Sequence, residues 1–341
     1  MDLGCLRFPK EGPVMKPLPS LAIVTQSERM RLILSRVEAI AASDSTILLI
    51  GETGVGKELF ADYIHRASPR SDRPFVKIAL SAMPHDLLES ELFGHERGSF
   101  TSAVSEKKGL FELAHTGSLF LDDIDDVPMP TQSKLLRVLE SQEVLRVGGS
   151  ATIPIDVRLI AASKVSLKEM VEHGSFRADL YYRINVFPVQ IPPLRERRED
   201  LPLLLQHFLK RFAPGKALSV SPEAQEALAH YDWPGNVREL RNIMQRLALF
   251  ATREINLQDL PPELHDGHPV ELLVKACTKC FMEESLQFND VITCLEVNLL
   301  KQALQETGGN RSQAAKVLGL SLSTLRDKLN KYGLENHTDP C

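Results

Sequence analysis

The apolar positions in the first half of the chain fall into short runs separated by longer segments with helical spacing. The runs are residues 46–50, 75–80, 119–121, 157–162 and 186–191. Runs that are apolar rather than alternating are typical of strands buried on both faces of a parallel sheet. Residues 57–67 and 131–142 between them have the spacing of amphipathic helices. This alternation predicts an α/β fold with a parallel sheet.

The pattern changes after residue 200, where helical segments follow one another without an apolar run between them. They are residues 201–212, 222–230 and 236–251, and they predict an all-helical subdomain. Leu260, Pro261 and Pro262 then interrupt the chain, because proline cannot continue a helix. We predict a loose tail (1–20), an α/β core (21–192), a helical subdomain (193–262), a linker (263–285) and a small all-α domain (286–335).

The composition is that of an ordinary globular protein. Hydrophobic residues make up 43%, charged residues make up 25% and the net charge is −5. An acidic chain is not a general coat for nucleic acid, so any DNA contact must come from a local basic patch. No apolar run approaches the ~18 residues of a membrane-spanning helix. Five cysteines do not make a disulfide framework, so we expect a cytoplasmic protein without a membrane partner.

A glycine-rich loop follows the first apolar run and begins a helix. This context favours a phosphate-binding loop over an ordinary glycine-rich turn, because the amides of such a loop converge on phosphate oxygens and its lysine reaches the outer phosphates. A glutamate stands where a hydroxyl residue usually binds Mg²⁺, so the metal must depend on other oxygens. The residues expected to bind the nucleotide are Gly51, Glu52, Thr53, Gly54, Val55, Gly56, Lys57 and Glu58.

Two carboxylates, Asp122 and Asp123, end the third apolar run. On its own, such a pair is most often part of a turn. In a P-loop ATPase, however, the first carboxylate holds Mg²⁺ and the second polarises the attacking water. Since the pair follows a P-loop in the expected order, we predict Asp122 as a metal ligand and Asp123 as the catalytic base.

With both motifs in place, the chain resembles the sigma-54-dependent activators, the bacterial enhancer-binding proteins of the AAA+ class, over residues 21–334. The resemblance includes Glu58 after the P-loop lysine. It extends to longer motifs at residues 91–96, 176–183, 192–197 and 233–240. It implies an AAA+ sheet with a helical lid, ATP and Mg²⁺ as cofactors, and a ring, commonly a hexamer. It also implies binding to upstream DNA and remodelling of sigma-54 RNA polymerase.

Three arginines take roles from this resemblance. Arg177 and Arg183 correspond to arginine fingers that one subunit offers to the nucleotide of the next. Spaced as they are on one helix, they are expected to point in different directions and to do different jobs. Arg238 corresponds to a phosphate sensor on the lid. The alternative is that these arginines pair with surface carboxylates, Asp179 for the fingers and Glu239 for the sensor.

Residues 98–103 correspond to the loop that contacts sigma-54 in this family. Phe100 and Thr101 match the family pattern, whereas Ser99 replaces an alanine and Ser102 replaces a glycine. Ser102 restricts the backbone where the family uses glycine. An exposed aromatic ring at a loop tip is costly without a partner, so we expect Phe100 and Thr101 to contact sigma-54.

Three further departures lie around the hydrolysis chemistry. Asp123 stands in place of the family's glutamate, Ala79 in place of an asparagine that holds this glutamate at rest, and Lys164 in place of an asparagine. One interpretation is a working ATPase in which the shorter Asp123 needs no asparagine, so that Ala79 compensates. The others are a slow ATPase in a mixed ring with a related activator, and a DNA-binding regulator without motor output.

The end of the chain resembles a Fis-type helix-turn-helix. In residues 310–329, Ala314, Ala315 and Leu318 form one apolar face, Gly319 ends the first helix, and Ser321 or Ser323 caps the second. Residues 291–307 are expected to form a dimerising helix, and a hairpin used only for dimerisation is the alternative. The residues expected to contact double-stranded DNA are Arg311, Ser323, Thr324, Arg326 and Lys328.

Two other segments carry weaker expectations. Cys277 and Cys280, with His265 and His268 before them, form a C-x-x-C pair that suggests a zinc or redox site. Their spacing fits no metal template well, which favours unconnected thiols on a linker. Because no receiver or sensing domain precedes residue 21, we expect control through a binding partner, the expression level or a co-activator subunit.

Overall fold

The computed structural model describes residues 23–99, 105–265, 288–307 and 310–334 of the 341-residue chain. Contacts between residues divide the chain into two units, Met1–Leu264 and His265–Cys341, which we describe separately. The predicted tail at 1–20 and most of the predicted linker at 263–285 lie outside the described residues. Within the described ranges, no helix has the length and apolar character needed to cross a membrane.

A parallel sheet forms the centre of the first unit. The strands of this unit are β1 (Ile47–Ile50), β2 (Phe75–Ala79), β3 (Gly94–His95), β4 (Lys107–Lys108), β5 (Ser118–Asp122), β6 (Glu143–Leu145), β7 (Thr152–Pro154), β8 (Arg158–Ser163), β9 (Phe187–Gln190), β10 (Ser219–Val220) and β11 (Glu254–Ile255). The sheet has the order β2-β5-β8-β1-β9, and every neighbouring pair is parallel. The five apolar runs form these five strands, so the predicted α/β fold is confirmed.

Helices cover both faces of the sheet. The helices of the first unit are α1 (Glu28–Ala41), α2 (Lys57–Arg66), α3 (His85–Phe93), α4 (Leu110–Leu113), α5 (Met129–Ser141), α6 (Leu167–Glu172), α7 (Ala178–Ile184), α8 (Leu201–Phe212), α9 (Pro222–His230), α10 (Asn236–Phe250) and α11 (Pro262–His265), of which α8 to α11 lie after the sheet and do not belong to its cover. Leu48 and Leu119 belong to the apolar core of one face, and Ile47, Leu49 and Phe120 belong to the core of the other. Because both faces are covered, β8 is buried at every position, including Arg158, whose guanidinium donates hydrogen bonds to the carbonyls of Ala41 and Ile40.

The helical subdomain at residues 193–264, which we call the lid, has its own core. Leu204, Phe208, Trp233, Leu240 and Met244 are buried in it. The expectation that no strand follows residue 200 is wrong, because β10 and β11 pair in parallel within the lid. Each of these strands has only two residues, which is too short to produce a period in the sequence.

A short antiparallel ribbon of β3 and β4 brackets residues 96–106. Arg146, directly after β6, joins the two sides of this ribbon. Its guanidinium lies 3.1 Å from Glu96, 3.5 Å from Glu106 and 2.9 Å from Glu112 of α4. We call β3, β4 and Arg146 the loop base, since the segment that contains Phe100 starts and ends on it.

The second unit contains a long helix followed by a helix-turn-helix. Its helices are α12 (Phe288–Glu306), α13 (Arg311–Val317) and α14 (Leu322–Lys331). Leu300, Leu325 and Leu329 are buried in one core. Gly319, with a φ of +65°, lies between α13 and α14, and the Ser321 side chain accepts a hydrogen bond from the Thr324 amide. Ser321 is therefore the cap of the second helix.

Candidate nucleotide-binding and DNA-binding sites

A cleft of about 470 Å³ lies at the carboxyl ends of β1, β5 and β8. Ends of neighbouring parallel strands share one edge of a sheet, so the loops that follow these strands converge there. Leu204 and Phe208 of the lid and Val24 before α1 line the cleft as well. The cleft therefore has a charged part and an apolar part, which suits a ligand with phosphates and a flat base.

The glycine-rich loop turns tightly before α2 begins. Gly54 and Gly56 adopt φ values of +83° and +107°, a backbone region that glycine enters at the lowest cost. The buried Lys57 side chain turns back on the loop, with Nζ 2.8 Å from the carbonyl oxygen of Gly51 and 3.3 Å from that of Glu52. Burial lowers the pKa of Lys57 from its ordinary value of 10.5. A desolvated ammonium group of this kind gains most from an anionic partner.

Asp122 and Asp123 follow β5 and line the cleft. Burial, and next the charge of Asp123, raise the pKa of Asp122 above its ordinary value. Asp123 has a φ of +55°, and its Oδ2 accepts a hydrogen bond from Ser81 Oγ at 2.5 Å. Pairing of Ala79 with Asp122 across β2 and β5 brings Ser81 to this place. Ser81 therefore binds Asp123 close to position 79, where the family uses an asparagine, and the expectation that the shorter Asp123 needs no asparagine stays a prediction.

Lys164 lies directly after β8, between the phosphate-binding loop and the acidic pair, and it lines the same cleft. Its Nζ is 2.7 Å from Asp126 and 3.5 Å from Asp125, whose Oδ1 also accepts the Lys164 amide at 3.2 Å. The hydrogen bond to Asp126 raises the pKa of Lys164. The charged part of the cleft therefore contains a second ammonium group besides Lys57.

Arg238, the predicted phosphate sensor, lies in the first turn of α10 and lines the cleft. Its amide donates a hydrogen bond to the carbonyl of Gly54 at 3.2 Å. The alternative pairing with Glu239 is not formed, because that carboxylate accepts hydrogen bonds from Tyr231 Oη at 3.1 Å and from the Gly235 amide at 2.8 Å. Arg238 is thus placed beside the loop that it is expected to monitor.

Two acidic side chains of the predicted loop are bound by basic residues of the protein. Arg195 binds the carboxylate of Glu52 at 2.8 Å and 2.5 Å, and it lowers the pKa of Glu52 to about 2. Lys77 binds Glu58 at 3.0 Å. Glu58 lines the cleft, whereas Glu52 faces the lid. The role of Glu52 is therefore structural in this arrangement.

Arg177 and Arg183 have separate environments. Arg177 precedes α7 with extended backbone angles of −75° and 132°, so the expectation that both arginines lie on one helix is wrong. Its guanidinium binds Asp179 at 2.7 Å and Ser133 Oγ at 3.1 Å. Arg183 lies in α7 and donates to the carbonyl of Leu139 at 2.7 Å. The predicted alternative of an Asp179 partner is present, in a solvent-exposed position where ion pairs contribute little.

The exposed face of the helix-turn-helix includes most of the predicted DNA-contacting residues. Arg311, Ser323, Thr324 and Arg326 are exposed. Lys328 is an exception, because its Nζ lies 3.0 Å from Glu296 of α12, which also accepts the Tyr332 hydroxyl at 2.5 Å. The charge of Lys328 is therefore shared with a carboxylate of the same unit, and its predicted contact with DNA stays a prediction.

Three segments of the chain match known protein families. Residues 23–190 match the sigma-54 interaction domain, residues 195–274 the AAA+ ATPase lid domain, and residues 294–332 the Fis family of bacterial regulatory proteins. The transcriptional regulatory protein ZraR of Salmonella typhimurium is 44% identical over 313 residues, which cover 91% of this chain and 68% of ZraR. The chain belongs to the sigma-54-dependent transcriptional activators.

The DNA-binding transcriptional activator HyfR of Escherichia coli K12 is also similar, with 43% identity over 325 residues. The match covers 92% of the present chain and 48% of HyfR, so the chain spans about half the length of that relative. The crystal structure of NtrX from Brucella abortus in complex with ATP has a TM-score of 0.68 and 34% identity, and covers 91% of this chain and 69% of NtrX. These similarities confirm the predicted AAA+ fold, lid and Fis-type helix-turn-helix.

Some predicted residues of the activator lie outside the described ranges. Phe100 and Thr101 of the sigma-factor loop are among them, although the loop base on which their segment starts and ends is described. Cys277 and Cys280 lie outside as well. The predicted roles of these four residues stay predictions.

Asp122 suits the part of a magnesium ligand. It is a half-buried carboxylate that lines the cleft beside the phosphate-binding loop. Among the described residues, no group of three or more His, Cys, Asp and Glu is arranged to hold a metal ion. Because Mg²⁺ is commonly held by one or two carboxylates together with phosphates and water, the residues here fit magnesium that arrives with a nucleotide.

Proposed function

We propose that the activator is an ATP-hydrolysing ring motor that remodels sigma-54 RNA polymerase and binds upstream double-stranded DNA. The observation that carries the proposal is the cleft, where the phosphate-binding loop, both carboxylates, Lys164 and Arg238 meet. The ATP complex of NtrX supports nucleotide binding at this place. The motor is proposed to work as a ring of copies of this chain, up to a hexamer, or in a mixed ring with a related activator.

The position of each side chain in the cleft suggests its role. Lys57 and the loop amides bind the outer phosphates, and Asp122 holds Mg²⁺, which offsets negative charge on the phosphoryl oxygens. Asp123 accepts the proton of the attacking water, and to do so it exchanges its hydrogen bond from Ser81 for one from the water. Lys164 exchanges Asp126 for the terminal phosphate in the same way.

The arginine fingers need a second subunit. Arg177 and Arg183 are bound to Asp179 and to the Leu139 carbonyl of their own chain. The side chain of Arg177 is 38% exposed, so its ion pair is weak enough to be replaced by a phosphate of an adjoining copy. We infer that ring closure supplies these two arginines to the neighbouring nucleotide, while Phe100 and Thr101 contact sigma-54.

A DNA-binding regulator without motor output is the second candidate. It is favoured by two contacts that compete with hydrolysis, namely Ser81 with Asp123 and Arg177 with Asp179. In this alternative the helix-turn-helix binds DNA, and the cleft binds a nucleotide without turning it over. Such a chain would act as a co-activator subunit in a mixed ring.

Formation of open promoter complexes separates the two candidates. The full chain is mixed with sigma-54 RNA polymerase, promoter DNA and ATP, and phosphate release is recorded in the same samples. We expect ATP-dependent opening that is lost in Lys57→Ala and in Arg177→Ala. Binding of the DNA without phosphate release or opening, at any protein concentration, would favour the second candidate.

A further inference from the structure

The lid binds the phosphate-binding loop along its backbone. Three successive carbonyls of the loop each accept a hydrogen bond from a lid residue. The pairs are Thr53 O with Asn236 Nδ2 at 3.1 Å, Gly54 O with the Arg238 amide at 3.2 Å, and Val55 O with Arg197 Nη2 at 3.0 Å. Side chains and backbone of two separate lid segments therefore contribute to one contact.

These three bonds fix the orientation of the loop peptides. In a planar trans peptide the carbonyl and the following amide point in opposite directions. Carbonyls that are held toward the lid therefore leave the amides of Gly54, Val55 and Gly56 directed away from the lid. Converging amides are what a phosphate-binding loop requires. The lid thus helps to set the orientation on which phosphate binding depends.

Asn236 is the centre of this contact. Its side chain is completely buried, and its φ is +53°, a left-handed conformation that asparagine tolerates better than most residues. Its Oδ1 accepts the Leu194 amide at 2.8 Å, and its Nδ2 donates to Glu52 as well as to Thr53, both at 3.1 Å. One side chain therefore joins Leu194 at the start of the lid, the first turn of α10 and the phosphate-binding loop.

The remaining contacts leave little space for an altered arrangement. A Cβ atom at Gly54 would lie 2.3 Å from the carbonyl oxygen of Gly235, so the loop and the lid touch at backbone distance. Arg195 adds a two-bonded ion pair to Glu52, which lies in the loop. The buried Arg197 has an ion-pair partner in Asp200 at 3.9 Å, and both belong to the lid.

We propose that this lid surface orients the phosphate-binding loop for its ligand. Asn236, Arg195 and Arg197 are then positioning residues for the nucleotide phosphates. The inference rests on the proposed binding of ATP in the cleft. Loss of a lid contact weakens phosphate binding even though the residue touches no phosphate.

The test compares two arginines three positions apart in the same short segment, Arg195 and Arg198. Arg195→Ala removes the partner of Glu52. Arg198→Ala is the matched control, because Arg198 binds the Ala229 carbonyl and Asp232 within the lid and does not contact the loop. The dissociation constants for ADP and for adenosine are measured on the full chain by calorimetry and by ligand-observed NMR. Thermal unfolding of each variant is recorded alongside.

We expect Arg195→Ala to weaken ADP binding by about threefold, as suits the loss of a partly exposed ion pair with Glu52. Adenosine binding should change by less than about twofold, because the apolar part of the cleft is untouched. Asn236→Gly, which keeps the left-handed backbone and removes the side chain, should give the same pattern. A variant that merely misplaces the lid would weaken the binding of ADP and the binding of adenosine equally.

The outcomes distinguish this inference from the function on which it rests. A native chain that binds no ADP overturns both. A native chain that binds ADP, with Arg195→Ala indistinguishable from Arg198→Ala, overturns the positioning role alone. Equal weakening of ADP and adenosine in Arg195→Ala and Asn236→Gly also overturns it, since the effect would then concern the lid as a wall of the cleft.

Discussion

The phosphate-binding loop and the acidic end of β5 lie in the same cleft but are held very differently. Three loop carbonyls and the Glu52 carboxylate are bound by the lid. Asp123 depends on the single hydroxyl of Ser81, which is itself exposed. The part of the site proposed to bind phosphate is therefore held by several contacts, whereas the part proposed to move a proton can be rearranged by breaking one hydrogen bond.

The two regions also differ in how closely they keep the family pattern. The loop keeps Glu58 after its lysine, and the lid keeps the motif that contains Asn236. Around Asp123, by contrast, Ala79 and Lys164 replace asparagines, and Ser81 and Asp126 provide partners in their place. A loop with many partners tolerates few changes, while a site with single contacts can exchange them one at a time.

The largest expected effect concerns Asp123. Asp123→Asn should lower kcat for ATP hydrolysis by about 100-fold or more, the usual contribution of a general base. The dissociation constant for ADP should stay within about twofold, because the loop and lid are intact. Steady-state hydrolysis and calorimetry on one preparation check this. An unchanged kcat would assign the base to another group.

A smaller effect is expected at Lys164. Lys164→Ala removes an ammonium group from the charged part of the cleft and should weaken ATP binding by roughly tenfold. Lys168→Ala on α6 is the control, since Lys168 does not line the cleft. Binding of a non-hydrolysable ATP analogue and of ADP is compared for both variants. Equal losses of affinity for the ATP analogue and for ADP would contradict a contact between Lys164 and the terminal phosphate.

Ser81 provides the sharpest test of the contrast. Ser81→Ala should raise kcat about threefold with KM unchanged, because the lost hydrogen bond is of the order of 1 kcal/mol and no longer competes with the water. Ser81→Thr keeps the hydroxyl and should keep the native rate. A fall in kcat for Ser81→Ala would mean that the hydroxyl orients Asp123 for the reaction instead of restraining it.

The smallest effect concerns acid stability. The Glu52 carboxylate has a pKa of about 2, below its ordinary value of 4.5, so its bond to Arg195 stabilises the fold above pH 4.5. That contribution decreases as the pH falls from 4.5 toward 2, where the carboxylate gains a proton. The difference in melting temperature between the native chain and Glu52→Gln should therefore shrink between pH 5 and about 3. A difference that stays constant would contradict the ion pair.

The sequence was sufficient for the sheet because its strands are buried on both faces. β8 is buried at all its positions, and its four central residues, 159–162, form the apolar run that is visible in the sequence. β10 and β11 have two residues each and give no such signal. Parallel pairing then places the ends of β1, β5 and β8 at one edge, so the meeting of Lys57 and Asp122 follows from the topology.

Contacts between distant segments of the chain could not be predicted from the sequence. Nothing in the residues around Ser81 indicates a bond to Asp123, because it depends on the register of β2 against β5. Lys328 was expected to contact DNA, and its helix gives no sign of the ion pair that it forms with Glu296 of α12. Glu52 was assigned to the nucleotide because it lies within the loop, whereas its carboxylate accepts hydrogen bonds from Arg195 and Asn236.

The loop base has a mechanical consequence. A force applied at Phe100 or Thr101 reaches the folded chain through two strands, β3 and β4. Arg146 forms ion pairs with Glu96, next to β3, and with Glu106, next to β4. The side chain of Arg146 is only 13% exposed, and it also forms an ion pair with Glu112 of α4. Charge-assisted bonds of this kind are about twice as strong as neutral ones. We therefore expect a force on this loop to be shared by β3 and β4.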